Sequence, residues 1–437
     1  MASRPNVIFI LADDLGYADL GCYGCRHPST PVLDGLARSG LRFTDGYANS
    51  SLCSPTRFAL ITGRYQYRYR GAHDEPIGGQ GRNSRVLGLS PDEPCLPSRL
   101  GRAGYSTALM GKWHLGYPPH FGPRASGYDE FFGSVGGAVD YFRHTDMSGI
   151  HDLYENEEEV HVDGYYTDLV ADRAADYVTR AAGTGRPFLL SVHFTAPHWP
   201  WQLCEDRNRP IPACDSLSHV SGGSIEAYYG MVRQMDEGIG RIVQAVQLGG
   251  IEQETLIVFT SDNGGERFSD TWPFVGKKMD LLEGGIRVPL IASWPGTVRA
   301  GGVTGQVALS MDWLPTLMDA AGVDAAASGG ELDGRSLLCV LRDPDDAFDR
   351  DVFWRMKFRD QKAFRRGPWK YLAMDGNEYL FDLAADARER ANKALLEPRR
   401  LEAMRHAYEA WSATMPPIAP DAWVGFPHRA ELLANPS

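Results

Sequence analysis

The sequence has no long hydrophobic run and no excess of positive charge. No apolar stretch approaches the roughly 20 residues that a helix needs to cross a bilayer, so the sequence does not indicate a membrane-spanning protein. Lysine and arginine number 44 against 56 acidic residues, which gives a formal net charge of -12. Because nucleic acids and anionic membrane surfaces attract basic proteins, we expect neither nucleic acid nor membrane as a partner.

A secretory signal is also absent from the sequence. Met1 to Asn6 leads directly into an apolar run, without the charged head, apolar stretch and cleavage site that a signal requires. As it stands, the sequence predicts a cytoplasmic protein. A periplasmic or secreted location is expected instead if a signal has been removed.

Cysteines are few and odd in number, which does not indicate a disulfide framework. Cys22 and Cys25 have the spacing of a redox or metal-binding pair, but the sequence lacks a second pair of this kind. Buried or incidental thiols are therefore favoured over a zinc or redox site. The seven cysteines are Cys22, Cys25, Cys53, Cys95, Cys204, Cys214 and Cys339.

Continuous apolar runs that end in polar or glycine-rich turns recur along the first three quarters of the chain. Such runs are typical of strands that are covered on both faces of a parallel sheet. They lie at 7–12, 105–110, 187–194, 256–260 and 288–292, with helical patterns at 30–39 and 224–248. The alternation predicts an α/β fold in which helices sandwich a large mixed, mostly parallel sheet.

The composition changes near 343–346, where acidic residues and proline cluster, and this change predicts a domain boundary. We therefore predict a catalytic α/β domain over 1–345 and a C-terminal subdomain over 346–437. Short strand patterns at 352–356, 362–365, 369–374 and 378–382 predict an antiparallel sheet in the subdomain. One helix at 397–414 and a proline-rich tail that wraps the surface complete it.

The segment Cys53-Ser54-Pro55-Thr56-Arg57 contains the candidate nucleophile. Pro55 suits the first turn of a helix, so Cys53 is expected at a helix N-terminus, where free N–H groups favour negative charge and activate a nucleophile. Arg57 follows one turn later and can fold back toward residue 53. On these residues alone, a buried cysteine before a helix is the alternative.

Polar oxygen-bearing side chains follow two of the predicted strands. Asp13 and Asp14 end the first strand, and Asp262 and Asn263 follow the strand at 256–260. Carboxylate and amide oxygens suit a hard cation such as Ca²⁺ or Mg²⁺. Each pair taken singly is typical of a turn or a helix cap, but two turns at the carboxyl ends of strands can converge on one crevice.

Candidate basic groups lie in three further loops. Lys112 and His114 follow a strand and would share one face if the extended backbone continues. His198 lies in a loop stiffened by prolines, and Lys278 precedes Glu283 by five positions. A lone lysine or histidine in such a loop is more often a surface or structural residue.

The pattern C-x-P-x-R at Cys53 resembles the segment that is converted to formylglycine in type I sulfatases, a family of the alkaline-phosphatase-like superfamily. Thr56 stands where that family more often has serine. The other loops are similar to sulfatase motifs in the family's order, with Lys278 rather than Lys277 at the lysine position, and the resemblance covers nearly the whole chain. It implies a sulfuric ester hydrolase that acts on a carbohydrate sulfate. Aryl sulfates are the expected assay substrates.

The resemblance also implies a site. Its metal ligands would be Asp13, Asp14, Asp262, Asn263 and residue 53, holding one divalent cation, with Ca²⁺ expected before Mg²⁺. Its catalytic residues would be Cys53, Arg57, Lys112, His114, His198 and Lys278. In those roles Lys112 and Lys278 bind the sulfate, Arg57 orients residue 53, His198 with Lys278 protonates the leaving oxygen, and His114 removes a proton from residue 53. A formylglycine-generating enzyme would be the maturation partner.

Two other functions remain open on the motifs. A phosphonate monoester or phosphodiester hydrolase of the same superfamily would share the metal site and the formylglycine. A catalytically silent protein that binds sulfated glycans is the second alternative. A further set of residues predicts either a sugar subsite or packed surface, namely Tyr65, Tyr67, Arg68, Tyr69, Arg70, His73, Asp74, Trp199 and Trp201.

Overall fold

The computed structural model describes residues 4–27, 30–208, 222–324 and 329–425. Its strands are β1 (Asn6–Ala12), β2 (Leu41–Phe43), β3 (Gly46–Tyr47), β4 (Ser106–Gly111), β5 (Glu130–Gly133), β6 (Tyr154–Glu155), β7 (Glu158–Glu159), β8 (Phe188–His193), β9 (Thr255–Ser261), β10 (Leu290–Ser293), β11 (Gly302–Thr304), β12 (Ala308–Leu309), β13 (Asp351–Met356), β14 (Gln361–Arg366), β15 (Trp369–Met374) and β16 (Asn377–Asp382). Its α-helices are α1 (Pro31–Ser39), α2 (Cys53–Thr62), α3 (Leu96–Arg102), α4 (Tyr166–Ala182), α5 (Ile225–Leu248), α6 (Glu283–Ile286), α7 (Trp313–Ala320), α8 (Leu338–Arg342) and α9 (Pro398–Ser412).

A ten-stranded sheet has the order β11-β2-β10-β9-β1-β8-β4-β5-β6-β7. Its central strands β9, β1, β8, β4 and β5 are parallel to one another, whereas β10 runs antiparallel between β9 and β2. The apolar runs form β1, β4, β8, β9 and β10, each within two residues of the predicted bounds. The predicted large mixed, mostly parallel sheet is confirmed.

Hydrophobic cores lie on both faces of this sheet because side chains alternate along each strand. Ile8 and Ile10 of β1 join the core with α4 and α5, and Val7 and Phe9 join the core with α2 and α7. Helix α5 begins where predicted, and the hydroxyl of its N-cap Ser224 accepts from the following helical turn. Within the described ranges, none of the helices has the length and apolar character required to cross a bilayer.

The second sheet is a four-stranded antiparallel meander, β13-β14-β15-β16, and α9 packs on it as predicted. Its core is shared with the larger part of the chain, because Tyr47 and Leu52 pack with Trp354 and Phe364. The division at 345 stays a prediction. Beyond α9 the described part of the tail reaches the loop between α2 and α3, where Val424 forms a β-bridge with Glu75.

Candidate active site

Two polar turns meet at the carboxyl ends of neighbouring parallel strands. Asp13 and Asp14 directly follow β1, and Asp262 and Asn263 directly follow β9. The amide Nδ2 of Asn263 donates to Oδ1 of Asp14 at 2.7 Å, and the backbone N–H of Asp14 donates to Oδ1 of Asp262 at 3.3 Å. All four side chains are buried. The convergence that their positions at strand ends predict is therefore present.

The oxygens at this junction suit a hard cation. Oδ1 of Asp13 and Oδ1 of Asn263 are buried and have no hydrogen-bond partner among the described residues, an arrangement that costs free energy unless another group satisfies them. Ligand atoms of Asp13, Asp14, Cys53 and His198 lie within 4.8 Å of one another. Carboxylate and amide oxygens fit Ca²⁺ or Mg²⁺, and His198 joins the cluster although the sequence suggested only a catalytic role for it.

Arg57 connects the helix of the candidate nucleophile to this junction. Its Nε and Nη2 donate to Oδ2 of Asp262 at 3.0 and 2.8 Å, and its Nη1 donates to the carbonyl oxygen of Lys112 at 2.9 Å. Burial and the nearby charge of Asp13 raise the pKa of Asp262 to about 7 against the opposing effect of Arg57. The guanidinium thus ties α2 to both polar loops, which fixes the helix end where residue 53 lies.

Cys53 is the first residue of α2, as predicted, and its side chain is buried. Burial raises the pKa of its thiol to about 12, although Lys112 and Lys278 act in the opposite direction. The activation expected from a helix N-terminus is therefore outweighed by desolvation. An unmodified thiol here is neutral near pH 7 and is a poor nucleophile.

Lys112 and His114 reach the site, but the extended backbone does not continue between them. Gly111 has φ +111° and His114 has φ +58°, so the chain turns at the end of β4. A Cβ at Gly111 would lie 2.0 Å from the carbonyl oxygen of His193, which explains the glycine. Nζ of Lys112 donates to Oδ2 of Asp13 in a fully buried ion pair.

The protonation of His114 follows from its neighbours. Its Nε2 lies 2.7 Å from the carbonyl oxygen of Ile77, so this nitrogen must be the donor. Its Nδ1 is buried and has no partner among the described residues. Burial, followed by the charge of Lys112, lowers the pKa of His114 well below its usual value. The ring is neutral and presents an unprotonated Nδ1.

His198 and Lys278 share Asp14. Nζ of Lys278 donates to Oδ2 of Asp14 at 2.7 Å, and Nε2 of His198 lies 3.6 Å from the same oxygen. Nδ1 of His198 donates to the carbonyl oxygen of Trp199 at 2.6 Å. Burial and then Lys278 lower the pKa of His198. Burial also acts against the charge of Lys278, but the combined charges of Asp14, Cys53, Glu266 and Asp13 outweigh it and raise the pKa of Lys278 well above the usual value. Lys278 therefore retains its proton.

The site opens into a cavity of about 400 Å³. Its described lining residues are Cys53, Pro76, Ile77, Gly78, Gly79, His114, Tyr117, Gly137, Ala138, Asp146, Met147, Ser148, His198, Trp199, Lys278 and Trp423. They include four of the six predicted catalytic residues. The other two, Arg57 and Lys112, do not line the cavity and instead contact the buried carboxylates.

The sequence left open whether a set of aromatic and charged residues forms a sugar subsite or packed surface, and the structure places its members in different surroundings. Tyr65 and Tyr67 are buried against Trp411 of α9, with ring centroids 5.1 and 5.7 Å apart, and Trp201 is buried as well. Trp199 lines the cavity. The remaining members of the set are absent from the described lining: Arg68, Tyr69, Arg70, His73 and Asp74.

The cysteines outside the site are free thiols wherever the structure describes them. Cys22 and Cys25 are free, half-buried thiols, and burial with the charge of Asp34 raises the pKa of Cys22 to about 12. Such thiols are unreactive at neutral pH, which agrees with the favoured interpretation. Cys214 lies outside the described residues.

The loop of Lys278 is held by the second sheet, a feature that no local pattern predicts. Gln361, at the start of β14, accepts from the backbone N–H of Leu281 and donates to the carbonyl oxygen of Met279, both at 2.8 Å. Gln361 is completely buried. Its amide therefore fixes the three residues that follow Lys278 against the C-terminal part of the chain.

A buried ion network holds the next part of the same loop. Nζ of Lys370 lies 2.9 Å from Oε1 of Glu283 and 2.8 Å from Oε1 of Glu389, and Oε2 of Glu389 accepts from the backbone N–H of Glu283 at 2.6 Å. Burial raises the pKa of Glu389 to about 7, whereas Lys370 and Arg287 outweigh burial and lower that of Glu283 to about 2. Only the tertiary structure reveals Glu389 as the partner of this motif.

Comparison with known proteins gives consistent matches over most of the chain. Residues 5–323 match the family described as Sulfatase, and residues 272–392 match the family described as N-sulphoglucosamine sulphohydrolase, C-terminal. Homo sapiens N-acetylgalactosamine-6-sulfatase is 34% identical over 376 residues, covering 80% of this chain and 68% of that protein. Bos taurus arylsulfatase A is 34% identical over 405 residues, covering 84% and 75%.

Solved structures resemble the whole described fold. The crystal structure of Ps i-CgsB in complex with k-i-k-neocarrahexaose has a TM-score of 0.84 and 30% identity, covering 96% of this chain and 95% of that one. Phosphonate monoester hydrolase of Agrobacterium radiobacter has a TM-score of 0.66 at 22% identity, covering 94% and 96%. The second similarity shows the shared fold alone, so it does not distinguish sulfur from phosphorus chemistry.

Proposed function

The chain belongs to the sulfatase family and is a sulfuric ester hydrolase, and we propose that it removes sulfate from a carbohydrate through formylglycine formed at Cys53 beside a divalent cation. One observation carries this proposal. The buried Cys53 lies where the carboxylates of Asp13 and Asp14 meet the ammonium groups of Lys112 and Lys278, at the end of a cavity.

The cation would be held by Asp13, Asp14, Asp262, Asn263 and residue 53. The unpartnered buried oxygens of Asp13 and Asn263 support this assignment, and their hardness supports Ca²⁺ with Mg²⁺ as the alternative. When bound, the cation supplies positive charge that offsets the charge of the sulfate and of the transition state.

Formylglycine supplies what the Cys53 thiol lacks, since its hydrate has one hydroxyl to attack sulfur and a second whose deprotonation expels sulfate. Arg57 orients residue 53 by fixing the first turn of α2. The unprotonated Nδ1 of His114 suits it to remove a proton from residue 53.

The two lysines and His198 act on the ester itself. Lys278 lines the cavity and binds sulfate oxygens there, and Lys112, which is paired with Asp13 behind the described lining, adds its charge from the buried side. Lys278 retains its proton, so it can protonate the leaving oxygen. His198 holds its proton on Nδ1, so its Nε2 can share this role only after taking up a proton, which Asp14 at 3.6 Å would favour.

Cys53→Ser tests the proposal, because serine keeps a hydroxyl but cannot form the hydrate. Protein produced with a formylglycine-generating enzyme should show the aldehyde at residue 53 by peptide mass spectrometry. It should turn over an aryl sulfate repeatedly, whereas Cys53→Ser should not. Chelation followed by addition of Ca²⁺ or Mg²⁺ separately identifies the cation. Multiple turnover by the folded Cys53→Ser variant would rule out the formylglycine route.

The same preparations distinguish the alternatives. Hydrolysis of an aryl phosphonate monoester faster than the matching aryl sulfate would favour a phosphonate hydrolase. Binding of sulfated saccharides without hydrolysis, in protein that contains formylglycine and the cation, would favour a silent glycan-binding protein.

A further inference from the structure

The C-terminal tail reaches the mouth of the active-site cavity through backbone pairing. Val424 forms a parallel bridge with Glu75. The backbone N–H of Glu75 donates to the carbonyl oxygen of Trp423 at 2.9 Å, and that of Gly425 donates to the carbonyl oxygen of Glu75 at 2.7 Å. Because Pro76 and Ile77 of the cavity wall follow Glu75 directly, the pairing sets Trp423 beside them.

The indole of Trp423 is fitted over two glycines. A Cβ at Gly425 would lie 2.7 Å from Cζ3 and Cη2 of the ring, and a Cβ at Gly78 would lie 3.3 Å from Cζ3. A side chain at Gly425 would therefore force the indole to move. The ring is 43% exposed and lines the cavity that contains Cys53 and Lys278. An aromatic ring that is fixed by its neighbours and partly exposed can pack against a ligand.

The charges of the described lining residues do not favour an anionic leaving group. Lys278 is the only lysine or arginine among the described lining residues, and it belongs to the sulfate-binding end. The carboxylate of Asp146 is already paired with Arg82 at 2.5 Å. Between these groups the wall includes apolar side chains such as Ile77 and Met147. Among the described lining residues, a second sulfate or a carboxylate on the sugar would find no cation beyond the sulfate-binding end, and an unpaired charge is costly to desolvate.

We propose that Trp423 determines specificity by packing its indole against the ring of a neutral sugar that carries a single sulfate. The electron-rich face of an indole attracts the polarised C–H groups of a pyranose ring and removes both surfaces from water. This inference rests on the proposed sulfatase function and specifies its leaving group. The tail therefore contributes one sugar-binding side chain, Trp423, to the described lining of the cavity.

A panel of methyl hexopyranosides with one sulfate at each position identifies the preferred substrate of the wild type. That substrate is then compared with the same ring carrying a second sulfate. Trp423→Ala is expected to raise KM for the monosulfated sugar about tenfold with a smaller change in kcat, since aromatic stacking contributes to ground-state binding. Trp423→Phe keeps an aromatic face and should stay within about threefold of wild type.

Trp272→Ala is the matched control. Trp272 is 53% exposed, packs against Arg388 at 4.7 Å and is absent from the described cavity lining, so KM should be unchanged. Should Trp423→Ala not fold, Trp423→Leu provides the same comparison without an aromatic ring.

Equal KM values for Trp423→Ala and Trp272→Ala would overturn the inference. A higher kcat/KM for the disulfated than for the monosulfated ring would overturn it as well. In both cases the sulfatase function would stand. Failure of formylglycine-containing wild type to hydrolyse any sulfate ester, including an aryl sulfate, would instead contradict the proposed function.

Discussion

The two ends of the cavity are built in opposite ways. At the sulfate end, Asp13, Asp14, Lys112 and Lys278 are buried and paired with one another at the ends of strands and in the adjoining loops. At the mouth, the wall comes from loops and the tail, and Trp423 is partly exposed. Buried ion pairs tolerate little displacement, whereas apolar contacts on loops tolerate replacement. If the proposed roles hold, the reaction is fixed at one end, and substrate recognition can vary at the other.

The strongest test of this contrast removes a charge from the sulfate end. Lys278→Ala should lower kcat by about two to three orders of magnitude, because a preorganised charge on the reacting group is lost. Lys277→Ala is the neighbouring control, since Lys277 does not line the cavity. Steady-state kinetics with an aryl sulfate measure both variants, with melting temperatures to check folding. An equal loss of kcat in the two variants would show that Lys278 has no specific role in the reaction.

A smaller effect is expected where the second sheet supports the sulfate end. Gln361→Leu removes both hydrogen bonds to the loop of Lys278 and should lower kcat about tenfold with little change in KM, because the ammonium group is displaced. Gln361→Glu retains an acceptor for Leu281 and should recover part of kcat. A change in melting temperature with normal kcat in Gln361→Leu would show a purely structural role.

The smallest effect is expected at the mouth. Met147 is 47% exposed on the cavity wall, so Met147→Ala removes a modest apolar contact. KM for a monosulfated saccharide should rise about threefold while kcat stays constant, because less than about 1 kcal/mol of burial is lost. Initial rates over a range of saccharide concentrations separate the two parameters. A larger loss in kcat than in KM would mean that the mouth also takes part in the chemistry.

Local patterns predicted five of the ten strands of the large sheet, β1, β4, β8, β9 and β10. The apolar runs at 7–12 and 256–260 became β1 and β9 because strands buried on both faces need continuous apolar residues. Helix α5 followed from its apolar face. Helix α4 was not predicted, although it packs against α5.

Predictions that depended on the burial of a side chain or on the path of a loop were less successful. The helix N-terminus at Cys53 suggested an activated thiol, but burial raises its pKa. Lys112 and His114 were expected on one extended face, yet the chain turns at Gly111 and brings both to the site in another way. The cost of desolvation and the path of a loop depend on neighbours that are distant in sequence.

The sequence by itself determined the family, the sheet and the loops that contain the chemistry, because each motif is short and lies at the end of a strand or the start of a helix. The tertiary structure alone decided which groups hold protons, as the hydrogen bond from His114 to Ile77 illustrates. It also decided that Gln361, from the C-terminal part, holds the loop of Lys278 and that Trp423 lines the cavity. The physical reason is that burial and pairing between remote segments have no local signature in the chain.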